Sequence, residues 1–434
     1  MLVVCFCSEN LWPSRADAVT TSNLTVKILC VFGQHNYGDP ARGVSYEYSN
    51  FVPALRNLGH EVIHFESWSR SEYQNFADLN QAFLETVERV QPDIIFCVLM
   101  HYELWLEVLE AVRQRCPTTL VHWGTDDSWK YEQFSRWVAT AFHLHVTTVP
   151  EAVEKARHDG LSNFFLSQWA ASSVSLAEPL AASKCRYPVT FVGSAYGNRP
   201  RWIADLKKRG IEVTCFGYGW PNGPVKAEEI PLILRDSVIS LNFGDSGLHL
   251  GKFWLHRSRQ IKARVFEVSG AGGCLLTESA PHLCNYYLPD REIVTFKELD
   301  DLTGRIVWFL SHPDERDAIA RAGHERTVRE HTYERRFSQL LEIATQHHVT
   351  STAHGCGGCH FDRQWFAGLR RQHEIGWLLR AFRQGSIKIF SVFLGPHRGP
   401  RAARRLVYEL SWRLFGRRTF TSIGLPGRMF YQES

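Results

Sequence analysis

The chain lacks any apolar run approaching the roughly 18 residues needed to cross a bilayer. Its start, Met1-Leu-Val-Val-Cys-Phe-Cys7, is apolar but brief and has no basic leader, so it is not read as a signal peptide. Eleven cysteines among 434 residues are too sparse for a disulfide scaffold. Cys30, Cys97, Cys215 and Cys274 fall in apolar runs, where cysteine behaves as a small hydrophobe, a usage that suits a reducing cytoplasm. Cys356-Gly-Gly-Cys359, with His347, His348, His354 and His360 nearby, has no second cysteine pair at zinc-finger spacing. A flexible, solvent-exposed linker is the expectation there. Gly33, Gly38 and Gly43 miss the dinucleotide-binding spacing, which argues against a nicotinamide enzyme. No Asp-x-Asp triplet is apparent around 245–258, so nothing demands a metal. No basic–aromatic motif supports nucleic-acid binding.

What is present is a globular composition, 44% apolar and 22% charged. A chain of this length exceeds one ordinary core, so two domains plus an appendage are expected. The net charge of +4 conceals an asymmetry. From Arg363 to Ser434 there are fourteen basic and three acidic side chains, a surplus of +11 that leaves −7 on residues 1–362. The divisions expected are an extension over 1–24, a first domain over 25–169, a linker over 170–186, a second domain over 187–345, and a linker with a basic helical tail over 346–434.

Val26 to Gly33 is a continuous apolar run ending in glycine, the pattern of a strand buried on both faces of a parallel sheet. A loop, a helix from Tyr46 to Leu58 and a strand at Gly59 to Phe65 follow. His101 ends the apolar run Pro92 to Met100, and His122, Asp126 and Asp127 lie at or just past the end of the run that starts at Thr118. Open α/β sheets place ligands at such strand ends, and these groups could serve as a general base. Asp126 equally suits a helix cap, Asp127 a solvated position, and His101 a structural histidine. In the second half, Tyr187 to Ile203 restarts the strand, glycine-loop, helix order, with Gly193 and Gly197 in the loop and Arg199 at the helix entrance. Gly210 to Gly217 echoes Gly59 to Phe65. A polar, glycine- and histidine-bearing loop spans Asp245 to Ser258 (Gly247, His249, Lys252, His256, Arg257). Beyond it, Arg259 to Glu278 reads as a short helix from Lys262 to Ala271, a turn at Gly272 and Gly273, and a buried strand from Cys274 to Thr277. Lys262 and Arg264 stand near a helix start whose unpaired N–H groups favour an anion, and Glu267 lies one turn on. Ala318 to Ala344 is expected to run on as one helix.

Arg264-Val-Phe-Glu267, its glycines and the Leu-Leu-Thr strand resemble the donor-site helix of two-Rossmann-domain (GT-B) glycosyltransferases. More narrowly they resemble the spore-maturation, CgeB-type branch, and the resemblance spans about Val26 to Leu341. It implies an α/β fold of two Rossmann-like domains facing each other across a cleft, here with a basic helical C-terminal appendage. It implies that Glu267 holds the ribose of a nucleoside-diphosphate sugar and that Lys262, Arg264 and Arg199 face the diphosphate, with Gly193, Gly272 and Gly273 on the donor side. Asp126, Asp127 or His101 would be the base on the acceptor side. The implied reaction moves a hexosyl group to a hydroxyl of a glycan, lipid-linked or protein acceptor in cell-surface, spore or envelope glycan synthesis. No cofactor beyond the nucleotide sugar is implied. One departure stands out: many retaining relatives carry a glutamate eight residues before the ribose-binding one, and here that place is Arg259. A sugar-nucleotide epimerase-like enzyme and a non-catalytic sugar-nucleotide-binding protein on the same fold remain open. In the tail, residues 401–418 put Leu406, Leu410 and Leu414 on one stripe flanked by arginines. Such a helix suits an anionic membrane surface, which would make the protein cytoplasmic and peripheral on the inner membrane face, and suits equally a leucine face packed on the acidic body.

Overall fold

The computed structural model describes residues 25–246, 249–250, 255–256, 258–352 and 359–433, with backbone alone for 249–250, 255–256 and 347–352. The expected N-terminal extension, Gly247, Lys252 and Arg257 of the 245–258 loop, His354 and Cys356 lie outside the described residues, as do the side chains of His249, His256, His347 and His348.

The first lobe is built on strands β1 (Lys27–Val31), β2 (Glu61–Phe65), β3 (Ile94–Cys97), β4 (Thr119–Gly124), β5 (Leu144–Thr147) and β6 (Phe164–Leu166). All pairs are parallel, in the order β2-β1-β3-β4-β5-β6. Every residue of β3 and β4 is buried, because helices cover both sheet faces and no alternation of polar side chains is then tolerated. The second lobe has β7 (Tyr187–Val192), β8 (Thr214–Phe216) and β9 (Ser237–Asn242), then an antiparallel hairpin of β10 (His249–Leu250) and β11 (Leu255–His256), then β12 (Leu275–Glu278) and β13 (Val294–Phe296). Its sheet, ordered β13-β12-β9-β7-β8, is also parallel. In each sheet the chain order reverses beside the first strand, between β1 and β3 and between β7 and β9. These reversals open a crevice at the strands' carboxyl ends.

The chain crosses between the lobes twice. Going out it passes Ala170–Ala171. Coming back it passes His331–Thr332, and Ala171 and Thr332 form a parallel bridge. The expected single helix from 318 to 344 is therefore two, Pro313–Glu330 and Tyr333–Thr352. The break is fixed by that bridge and by His331, whose ring nitrogen Nε2 lies 2.8 Å from the Tyr286 carbonyl. The second of these helices lies on the first lobe. Phe337 packs edge-on against Phe51 (5.2 Å between centroids), and the Tyr333 and Tyr46 hydroxyls meet at 2.9 Å. T-shaped contacts of this kind let aromatic edges meet faces, which adds to the area they bury.

The basic tail is ordered on the first lobe. Phe361, Phe366, Leu369, Tyr408 and Phe420 join that lobe's core, and Cys359, expected in an exposed linker, is buried and disulfide-bonded to Cys116. The helix Gly399–Phe415 does not pack on the body through its leucine stripe. Ala403, Val407, Tyr408 and Ser411 are its buried face, while Leu406, Leu410 and Leu414 are exposed. Among the described residues no helix is long and apolar enough to cross a membrane.

Candidate active site

The two crevices face each other and enclose a cavity of about 390 Å³. The first lobe contributes the loops after β1 and β3, the start of the helix Tyr46–Asn57, and Asp126 beyond β4. The second contributes Gly193 after β7, Asn242 at the end of β9, and the start of the helix Ala263–Gly270.

The second lobe's wall is cationic. Lys262 caps the helix Ala263–Gly270 without a side-chain bond to it, so the first N–H groups of that helix have no capping side chain. Burial pushes the Lys262 ammonium down to about 8, against the pull of Asp126. Arg264 pairs with Glu267 at 2.9 Å, the spacing of neighbours one turn apart. Arg199 is buried. It donates to the Ser194 carbonyl (3.1 Å), the Tyr196 hydroxyl (3.1 Å) and the Phe243 carbonyl (3.4 Å), and its Nε has no hydrogen-bond partner. Gly193 is small for a reason: a Cβ there would come within 2.9 Å of the Phe191 ring and 3.6 Å of an Arg199 nitrogen.

The first lobe's wall is acidic. Ser45 Oγ caps the helix Tyr46–Asn57 through the Tyr48 N–H and donates to the Gly33 carbonyl (2.5 Å), which holds the helix start against the loop after β1. Glu47 sits in that first turn, and its burial pushes the carboxyl up to about 7. Asp126 accepts from Gln260 Nε2 (3.3 Å), and Gln260 Oε1 accepts from Ser128 Oγ (2.5 Å), so one side chain of the second lobe clasps two residues of the first.

Asp127, one residue on, is elsewhere. It is buried beneath β4 in a chain of matched donors and acceptors. The Leu99 N–H donates to His122 Nε2 (3.3 Å), which leaves His122 Nδ1 to donate to His145 Nδ1 (3.1 Å). His145 Nε2 then donates to Asp127 (3.1 Å), and Ser135 donates to its other oxygen (2.5 Å). Burial alone would raise the Asp127 carboxyl, but the His145 ring and the bonds from His145, Ser135 and Thr147 hold it down at about 2. Asp127 is thus a fastening for the β4 end and does not line the cavity.

His101 is also outside this cavity. It lines an adjoining space of about 1160 Å³ that shares Asn36, Tyr37, Trp68 and Met100 with the first. Burial, with Arg404 close by, pushes its imidazole well below the usual range, so it is neutral there. Gly272 and Gly273 stand at the far end of the Ala263–Gly270 helix, which at about 1.5 Å per residue is roughly 12 Å from its start. A Cβ on Gly272 would meet the Ala177 carbonyl at 2.5 Å and one on Gly273 the Leu234 carbonyl at 2.6 Å, so both allow close packing and neither faces the cavity. Arg259 pairs with Glu278 at the end of β12 (3.0 Å), and Glu278 also accepts from the Gly244 N–H (2.9 Å). Glu47 and Gln260 were not among the residues singled out from the sequence. Glu47 looks like an ordinary acidic first-turn residue, and only the packing of the lobes gives it a buried place in the cleft.

Two parallel Rossmann-like lobes with opposed crevices are the fold of GT-B glycosyltransferases. Residues 199–342 match the family model described as glycosyl transferase-like, so the second lobe carries that family's sequence pattern. Sucrose-phosphate synthase from Thermosynechococcus elongatus is similar in structure, with a TM-score of 0.52 and 13% identity over 74% of this chain and 98% of that one. A glycosyltransferase from Rickettsia africae (TM-score 0.52, 11% identity, 74% and 98% covered) and Anabaena HepE in complex with UDP-glucose (0.51, 12%, 74% and 100%) are similar to the same extent. Identities of this size establish the shared fold. No curated protein sequence matches the chain.

Proposed function

We propose that the protein is a glycosyltransferase that moves a hexosyl group from a nucleoside-diphosphate donor to an acceptor hydroxyl. The observation that carries this reading is the opposition of charge across one cavity, with Arg199, Lys262 and Arg264 around an open helix start facing Glu47 and Asp126. A diphosphate leaving group gains negative charge as the glycosidic bond breaks, and fixed cations in a cavity that excludes water stabilise that change. In this reading Glu267 exchanges its pairing with Arg264 for the ribose hydroxyls, and the buried Glu47 carboxyl, raised to about 7, takes the acceptor's proton. Glu47 joins Asp126 as the candidate base in place of Asp127 and His101. The UDP-glucose complex of HepE supports a nucleotide sugar as donor. The narrower CgeB-type assignment, and with it an envelope or spore glycan as product, rests on the Arg264-Val-Phe-Glu267 stretch and its surroundings.

The test is a thermal-shift screen of UDP-, GDP-, dTDP- and ADP-sugars on wild type and Glu267→Ala. One nucleotide class should stabilise wild type and lose most of that effect in the variant. Stabilisation by none, or equal stabilisation of both proteins, would refute the assignment of Glu267. Donor turnover that needs no acceptor hydroxyl would instead indicate an epimerase.

A further inference from the structure

The tail contains a helical hairpin, Trp377–Leu394 followed by Gly399–Phe415, whose inner side is built into the protein. Leu379, Ile387 and Phe390 pack with Ala403, Val407, Met429 and Phe430, and Arg383 is held to Glu433 (2.5 Å). The outer side is left apolar. Trp377, Val392 and Phe393 are 75%, 81% and 80% exposed, and Leu378, Phe382 and Ile389 are also exposed. At about 100° per residue, Leu378, Phe382, Ile389 and Phe393 fall within a sector of roughly 60° on one helix face. On the second helix Leu406, Leu410 and Leu414 are exposed as well. Monomeric proteins seldom leave so many large apolar side chains together in water.

We infer that this hairpin seats the protein on an anionic phospholipid surface. Charge selects the occupant. Between Glu374 and Glu409 there is no acidic residue; Arg383 in that span is paired with Glu433, while Arg380, Lys388, Arg398, Arg401 and Arg405 are exposed. A second copy of the chain docked face to face would bring this basic span against itself. A nucleic acid would use the arginines and leave the apolar sector in water. A bilayer interface of anionic headgroups over acyl chains accepts both, and an amphipathic helix with aromatic and aliphatic side chains opposite arginines lies in that interface without crossing it. The net −7 of residues 1–362 would be repelled by the same surface, so the molecule would sit with its tail down. Arg401 and Arg404, on the same hairpin, also line the 1160 Å³ space that adjoins the donor cavity.

The experiment is sedimentation of the full-length protein with vesicles of phosphatidylcholine alone or with 30% phosphatidylglycerol, alongside Phe382→Glu/Phe393→Glu. Both positions are exposed, so the variant should keep the wild-type melting temperature. Wild type should bind the anionic vesicles at least tenfold more tightly than the neutral ones, and the double variant should lose at least tenfold. Equal binding of the two proteins, or none by wild type, overturns the inference. So does a wild-type dimer that the variant splits without any vesicle binding. The readout involves no nucleotide, so it is independent of the transfer reaction.

Discussion

The two walls of the cleft are made by the same architectural device, yet their chemistry is opposite. Behind β7 and β9 the strand-end positions and the neighbouring helix start hold Arg199, Lys262 and Arg264, with Glu267 as the one acid among them. Behind β1 and β4 they hold Glu47 and Asp126, with Lys130 as the one base. Neither wall is at rest electrostatically. Burial lowers Lys262 to about 8 on one side and raises Glu47 to about 7 on the other, so on both walls burial works against the charged form. A pair of walls strained in opposite senses suits a reaction in which one substrate gains negative charge while the other gives up a proton.

The contrast can be broken most severely from the cationic side. Lys262→Met keeps the length of the side chain and removes its charge, and transfer should fall by about 10² to 10³ in kcat. Steady-state kinetics at saturating donor measure this. On the acidic side, Glu47→Gln should lower kcat by about 10², the low end for loss of a general base, and abolish a limb of the pH profile that rises through about 7. If Asp126→Asn does this and Glu47→Gln does not, the base is Asp126. Glu47→Gln should also raise the melting temperature above pH 7. A carboxyl whose folded value lies above its unfolded one destabilises the fold once pH has passed through that window. The pH dependence of donor binding sharpens the comparison further. A diphosphate favours charged Lys262, so nucleotide affinity should hold below pH 8 and fall about tenfold by pH 9, as titration calorimetry would show. The smallest effect on turnover belongs to Asp127→Asn, which touches neither wall. It should cost about 2 kcal/mol of stability and leave kcat close to wild type, as denaturant melts and kinetics would show. The stabilisation from Asp127 is present above its unfolded value of 3.8 and is lost as pH falls through 2.

Most of this architecture was legible in the sequence because parallel strands buried on both faces leave long apolar runs, such as Ile94–Cys97, that end at glycines or polar loops. The cationic wall was legible for a related reason, since Lys262 and Arg264 crowd a helix start and Arg199 opens another. Three things were not. The neighbours Asp126 and Asp127 are equivalent on paper, and only the partners waiting beneath β4, His145 and Ser135, decide which one turns inward. Gly272 and Gly273 signal tight turns in any sequence, but whether a turn faces a ligand or the linker at Ala177 depends on the packing of distant segments. Finally, Cys116 and Cys359 are 243 residues apart, so their meeting depends on the tail folding back over the first lobe.

The bridge between Ala171 and Thr332 has a mechanical meaning. The outgoing and returning chain segments lie side by side there, and across the cleft Gln260 of the second lobe is bonded to Asp126 and Ser128 of the first. The molecule resembles a book whose spine is the 170–171 and 331–332 crossing. In the proposed function a bound nucleotide would lie between its pages, beside the Gln260 clasp that lines the cavity.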